Sequence, residues 1–171
     1  MKYNKWFNKF FIGAITSLVV ATATYAQDAK KDKKEQKKAD MESLIQSRNF
    51  VFVANNAYPL SGRNINLTSM YDVRISADTI ISDLPYYGRA YVAPMNTSEG
   101  GIHFTSTKFN YTIKDRKKGG WDITIVPNDT RDVRQMYLTV SEDGYGSLQV
   151  VSENRQDISF SGYVRAKNKS R

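Results

Sequence analysis

The chain has no cysteine, a single histidine, His103, and only four prolines. The lack of cysteine rules out disulfides, a thiol nucleophile and a lipid attached through a leader cysteine. With one histidine, a zinc site would have to draw nearly all its ligands from carboxylates, against the usual preference for nitrogen and sulfur. A Ser-His-Asp triad could use only His103, and no Gly-x-Ser-x-Gly elbow exists to present the serine. No P-loop, no Gly-x-Gly-x-x-Gly after a strand and no EF-hand loop occurs. Neither a metal nor a cofactor is therefore expected. His103 falls on the polar face of an expected strand and reads as a surface residue.

Long apolar runs are equally scarce. The one present, residues 10–20, follows Lys2, Lys5 and Lys9 and precedes Thr24-Tyr25-Ala26, which sets small residues at −3 and −1 of a cleavage site. Residues 1–26 read as a secretory signal peptide, with Gln27 as the new N-terminus. The run falls well short of the roughly 20 residues that span a bilayer, so no transmembrane span is expected after cleavage. Export without disulfides fits a bacterial periplasm or cell exterior better than a small eukaryotic secreted domain.

Charge of one sign is not concentrated anywhere. Loss of the three leader lysines takes the formal charge from +8 to +5. Residues 28–42 nearly cancel, and the rest scatters its basic and acidic residues. A nucleic-acid partner would call for a clustered stripe of Lys and Arg, so none is expected.

What the chain does have is alternation. Residues 27–47 read as a charged helix or tether, apolar only at Met41, Leu44 and Ile45, where its second half could dock. From residue 48 to 166 the period is two. Phe50-Val51-Phe52-Val53 is apolar on both faces and ends at Asn55-Asn56-Ala57-Tyr58-Pro59. A short piece at Ile65-Asn66-Leu67 precedes Tyr71, Val73 and Ile75. Thr79 to Asp83 leads into Leu84-Pro85-Tyr86-Tyr87-Gly88-Arg89-Ala90-Tyr91, where Tyr86 to Val92 is expected to be a further strand closed by a loop over 94–100. Ile102 and Phe104, then Phe109, Tyr111 and Ile113, then Trp121, Ile123 and Ile125 form further inward sets. The last two flank the turn Asp115-Arg116-Lys117-Lys118-Gly119-Gly120, a hairpin signature. Met136, Leu138 and Val140, then Leu148 and Val150, then Ile158, Phe160 and Val164 complete the series, and residues 167–171 form a basic tail.

Short turns exclude parallel crossovers, which need a dozen residues or more. The predicted fold is mainly β: one antiparallel meander of about eight strands, preceded by the charged helix. Closure or curvature disposes of the exposed edges, in a barrel or a curved two-layer sheet. The up-and-down order favours a lipocalin-like barrel. Within it, Pro85 and Gly88 read as a bend or bulge where the sheet turns, or as the rim of a site.

The sequence resembles a family of small exported proteins from Bacteroidetes-type bacteria that is described only as a domain of unknown function. The likeness spans residues 43–165 and rests on Phe50-Val51-Phe52-Val53-Ala54, on the stretch 84–91 and on Asn154-Arg155-Gln156-Asp157-Ile158-Ser159-Phe160-Ser161-Gly162. It implies a β-rich, barrel-like domain behind a signal peptide, and it carries no established activity or catalytic residue.

Two acidic pairs remain for chemistry, Asp129 with Asp132 and Glu142 with Asp143, both in turn-like segments where local hydrogen bonding explains them. A hydrolase acting on envelope glycans would need two carboxylates across a cleft, one with a raised pKa. Calcium at Asn128-Asp129-Thr130-Asp132 lacks a matching loop spacing. The stronger signal is eleven tyrosines, several on polar strand faces. Tyr86, Tyr87, Arg89, Tyr91, Tyr137 and Tyr163 are the expected ligand-binding residues. Rings with polar tips suit a small apolar or glycan ligand or an envelope protein, although tyrosine is also simply a good strand residue. The expected function is non-enzymatic binding or an envelope-accessory role, with the carboxylate hydrolase as the alternative.

Overall fold

The computed structural model describes residues 32–91 and 100–167. The expected leader, residues 27–31, the loop over 92–99 and residues 168–171 lie outside the described residues. By internal packing the chain divides into Met1–Ala39 and Asp40–Arg171. No helix among the described residues is long and apolar enough to cross a membrane.

A helix, α1, covers residues 32–46. Its residues 32–39 are charged or polar apart from Ala39 and are all exposed. In its last turns Met41, Leu44 and Ile45 share a face at helical spacing. Ile45 is fully buried in the core, and Met41 and Leu44 pack against it. Burial of one such side chain is worth about 2–3 kcal/mol. Arg48 ends the helix with φ of 50°, its amide bonded to the Ile45 carbonyl. Its guanidinium then lies over the Tyr111 ring, 4.9 Å from the centroid.

Nine strands follow: β1 (Phe50–Pro59), β2 (Ile65–Ile75), β3 (Ile80–Leu84), β4 (Ile102–Ser106), β5 (Phe109–Asp115), β6 (Trp121–Pro127), β7 (Val133–Val140), β8 (Tyr145–Ser152) and β9 (Ile158–Ala166). All neighbours are antiparallel, in the order β4-β3-β2-β1-β9-β8-β7-β6-β5. The sheet curls into a nearly closed barrel. The first and last strands meet at its centre, while β4 and β5, joined by only Thr107 and Lys108, form its two edges.

Two expectations are corrected. The first strand does not end at Asn55 but runs on to Pro59, because a bulge between Ala54 and Asn56 absorbs one residue and returns Ala57 to the core. Residues 85–91 are not a strand. Pro85 lacks a backbone donor, and the later amides turn to the β8–β9 loop instead of a sheet neighbour, leaving one bridge, Ala90 with Arg155.

Inward residues fill the barrel, with Phe50, Phe52 and Phe160 the largest fully buried side chains. Val51 and Val53, on the opposite face of β1, are buried too. That fits the apolar run on the strand at the middle of the sheet. Among the described residues two buried hydroxyls, those of Tyr111 and Ser152, have no hydrogen-bond partner, and burial drives the Tyr111 pKa far above the ordinary phenol value. Replacing a desolvated, unbonded hydroxyl by hydrogen removes a penalty of about 1–3 kcal/mol. Tyr111→Phe, which keeps the ring under Arg48, is therefore expected to raise stability by about 1 kcal/mol. Urea denaturation checks it, and a loss of stability would mean that the hydroxyl is bonded.

Candidate functional site

Two regions of the barrel gather the candidate residues. The first surrounds the stretch 84–91. The Tyr86 hydroxyl lies 2.9 Å from the Arg89 carbonyl oxygen and 3.0 Å from that of Gln156. A phenol has one proton, so the two carbonyls share it. Burial, the leading cause, raises the Tyr86 pKa, with the nearby Arg155 cation opposing it. The Gln156 amide donates to the Arg89 carbonyl and the Tyr91 amide to the Asn154 carbonyl. Arg89 thus contributes through its backbone, while the rings of Tyr87 and Tyr91 are exposed. The stretch is a corner clamped onto the β8–β9 loop, so two of the sequence motifs that carry the family resemblance are partners in space.

Arg155 is the hub of that clamp. Its Nε lies 2.8 Å from Asp132 Oδ2, its Nη1 donates to the Gly101 carbonyl at 2.8 Å, and its guanidinium sits 5.2 Å from the Tyr86 ring centroid. It ties the corner, the start of β4 and the β6–β7 loop together. Beside it is a cavity of about 380 Å³, bounded by residues 101–105 of the β4 edge, residues 129–133 and Arg155. His103 stands at this cavity with Nδ1 2.8 Å from Asp83 Oδ1 on β3. His103 and Asp83 are cross-strand partners. Twenty residues separate them in the chain, so only the strand register brings them together.

Both acids of the expected Asp129–Asp132 pair line the cavity, but each has a structural partner. Asp129 accepts from the Ser106 hydroxyl and from the Thr107 and Lys108 amides, which ties the β4–β5 link to the β6–β7 loop. The Ser106 hydroxyl first, and then these amides, hold its carboxyl below the ordinary value. That is opposite to what a general acid needs. Its oxygens face amides and a hydroxyl, not an open cation position. Glu142 and Asp143 sit in the β7–β8 turn and are not among the cavity's residues. Among the described residues no three His, Asp or Glu side chains are grouped to hold a metal.

The lowered Asp129 value has a sign. Its contribution to stability is complete above the ordinary carboxylate value of 3.8 and is lost as pH falls through the lower native value. Asp129→Asn is expected to flatten the acid limb of the stability curve, measured by urea unfolding from about pH 5 to about pH 2. Parallel limbs for the two proteins would contradict it.

The second region is the outer face of β7, β8, β9 and β1. Tyr137 faces outward from β7 and Tyr163 from β9, on different rungs of the sheet. Two tyrosines not anticipated in the sequence complete the group. Tyr145 is the cross-strand partner of Tyr163, and Tyr58 pairs with Ser159 and bonds the Ser161 hydroxyl at 3.0 Å. Tyr145 is 72% exposed and the other three between 37% and 42%. Between them lie Thr139, Ser147 and Ser161 on one rung, and Gln149 and Ser159 on the next. The odd-number spacing of Tyr145 with Ser147 and Gln149 was a readable signal, masked by the Gly144-Tyr145-Gly146 turn. Tyr86, Tyr87, Arg89 and Tyr91 stand on the corner, whereas Tyr137 and Tyr163 belong to this outer face.

Residues 32–164 match the family described as "Domain of unknown function (DUF4251)". No curated protein matches the chain. A crystal structure of a DUF4251 family protein from Bacteroides eggerthii has the same fold, with a TM-score of 0.57, 16% sequence identity, and coverage of 76% of this chain and 87% of that one. With three-quarters of its length matched and the barrel in common, the chain belongs to the DUF4251 family.

Proposed function

We propose that this is an exported, non-enzymatic binding protein of the bacterial envelope, and that its outer tyrosine face holds a neutral glycan. One observation carries the reading. A quarter of the chain's residues are charged, yet the tyrosine-bounded patch on β7, β8, β9 and β1 has only hydroxyl and amide side chains of its own between its rings, with the Asp122 carboxylate of neighbouring β6 at its border accepting from Thr139. Such a face suits a neutral ligand rich in hydroxyls, because no ion stands between the rings to be desolvated on contact, and Asp122 at the border is already bonded to Thr139. Tyrosine rings offer large, stiff contact area at small entropic cost, while serine and threonine both donate and accept. The leader-like composition of residues 1–26 supports export.

Affinity electrophoresis through gels containing mannan, laminarin or soluble chitin oligomers tests the proposal. The protein should be retarded by at least one of them, and Tyr145→Ala with Tyr163→Ala should weaken that binding at least tenfold with the circular dichroism spectrum unchanged. Mobility unaffected by every glycan, or retardation that the folded double variant keeps, would sink it.

A further inference from the structure

The cavity beside β4 takes no part in that reading, and it has the features of a second site. Among the described residues β4 pairs only with β3, and no strand lies along its other edge. Among the described residues the backbone of His103, Phe104 and Thr105 has no partner along that edge. The cavity runs beside five consecutive residues, 101–105, so it follows the strand and does not merely touch it. An open strand edge presents its unpaired amides and carbonyls to any extended chain that reaches it.

The side chains narrow the occupant further. Ile102 and Phe104 point to the core side of β4, together with Val133 across the cavity. Ile102 and Val133 are buried, but Phe104 between them is only half-buried. One apolar face is thus left incomplete at the cavity. The other wall is polar. Arg155 is neutralised by Asp132, and Asp129 by the donors around it. Arg131 is exposed, and among the described residues it forms no ion pair. The cavity therefore offers strand-edge backbone, an unfinished apolar surface and one unbalanced cation.

We propose that the β4 edge docks an extended segment of another protein as an added strand, with apolar residues toward Phe104 and Val133 and an acidic residue toward Arg131. An added strand rises about 3.3 Å per residue, so residues 101–105 match a peptide of roughly five residues. The cavity volume lies near the lower end of the ~300–1,000 Å³ usual for ligand sites. Backbone pairing supplies affinity, and the alternation of the guest's side chains supplies selectivity.

An array of end-blocked pentapeptides tests this, with Glu at the third position, Val, Ile, Leu or Phe at the second and fourth, and Thr at both ends. Binding to the full chain is read by fluorescence anisotropy. Several members should bind. N-methylation of alternate amides, in whichever of the two phases faces β4, should weaken binding at least tenfold. Arg131→Glu should weaken the Glu peptides at least tenfold and favour their Lys counterparts. Failure of every peptide to bind at millimolar concentration would overturn the proposal, as would binding indifferent to N-methylation in both phases. Dimerisation that Arg131→Glu abolishes while no peptide binds would give the edge to a second copy and would also overturn it.

Discussion

Gly162→Ala is expected to cost about 3 kcal/mol, a lowering of Tm by roughly 10 °C for a domain of this size. The cause is close approach, not backbone freedom. A Cβ on Gly162 would overlap the Val53 carbonyl oxygen and come within 2.9 Å of its carbon and 3.1 Å of Ala54 Cα. All three belong to the backbone of β1, which is held on one side by β2 and on the other by β9 itself. No rotamer change can clear the overlap. Relief would need β9 to move off β1 beside the bulge between Ala54 and Asn56. Its cross-strand partner is also a glycine, Gly146, and a Cβ there would meet the Phe52 ring at 2.9 Å. The two glycines make room for the inner ring and the outer bend at the same point. Gly100→Ala, where an added Cβ meets nothing within 4 Å, serves as the control and should change stability by less than about 0.5 kcal/mol. If urea denaturation finds the two variants alike, the close β1–β9 approach is wrong.

Arg155→Ala should cost a similar amount, about 3 kcal/mol. Its side chain is only 15% exposed and makes a charge-assisted bond to Asp132, another to the Gly101 carbonyl, and a contact with the Tyr86 ring. Truncation leaves Asp132 without its cation in a half-buried setting and removes a side chain that links the corner, the start of β4 and the β6–β7 loop. Lysine should not rescue it, since a single ammonium cannot serve a carboxylate and a carbonyl in fixed directions while lying over a ring. A double-mutant cycle with Asp132→Asn separates the pair from the rest. The double variant should lose clearly less than the sum of the singles. Additive losses would mean that Arg155 acts through the corner alone.

The two regions of the molecule differed in how far they could be read from the amino-acid sequence. Strands β3 to β9 and the second half of β2 announced themselves by alternation, as in Trp121, Ile123 and Ile125 or Ile158, Phe160 and Val164, whereas the largely exposed first half of β2 read as a separate short piece. The docking face of α1 was equally visible at Met41, Leu44 and Ile45. The bulge at Asn55 was not, because asparagines before Tyr58-Pro59 look the same whether they end a strand or kink it. Residues 86–91 were misread for a related reason: tyrosines favour strands, and nothing local says that their amides will pair with a loop almost seventy residues on. Of the candidate site, Tyr137 and Tyr163 could be named from alternation. Of their neighbours, Tyr145 alternates with Ser147 and Gln149 but is masked by its turn glycines, and Tyr58 could not be named, since cross-strand company depends on register. The Arg155 hub and the Asp83–His103 pair were hidden for the same reason.

The meeting of β1 with β9 at the centre of the sheet has a consequence for how the chain comes to be folded. The most buried strand, β1, is made early and stays half-paired until the last strand exists. A hairpin such as β5–β6 can form as soon as it is synthesised, but the core around Phe52 and Phe160 cannot close until about a hundred further residues have followed β1 off the ribosome. Non-local closure of this kind slows folding toward milliseconds to seconds. Until that moment Phe50-Val51-Phe52-Val53 is an apolar segment without its partner, and the growing chain is one that a holding chaperone can keep open.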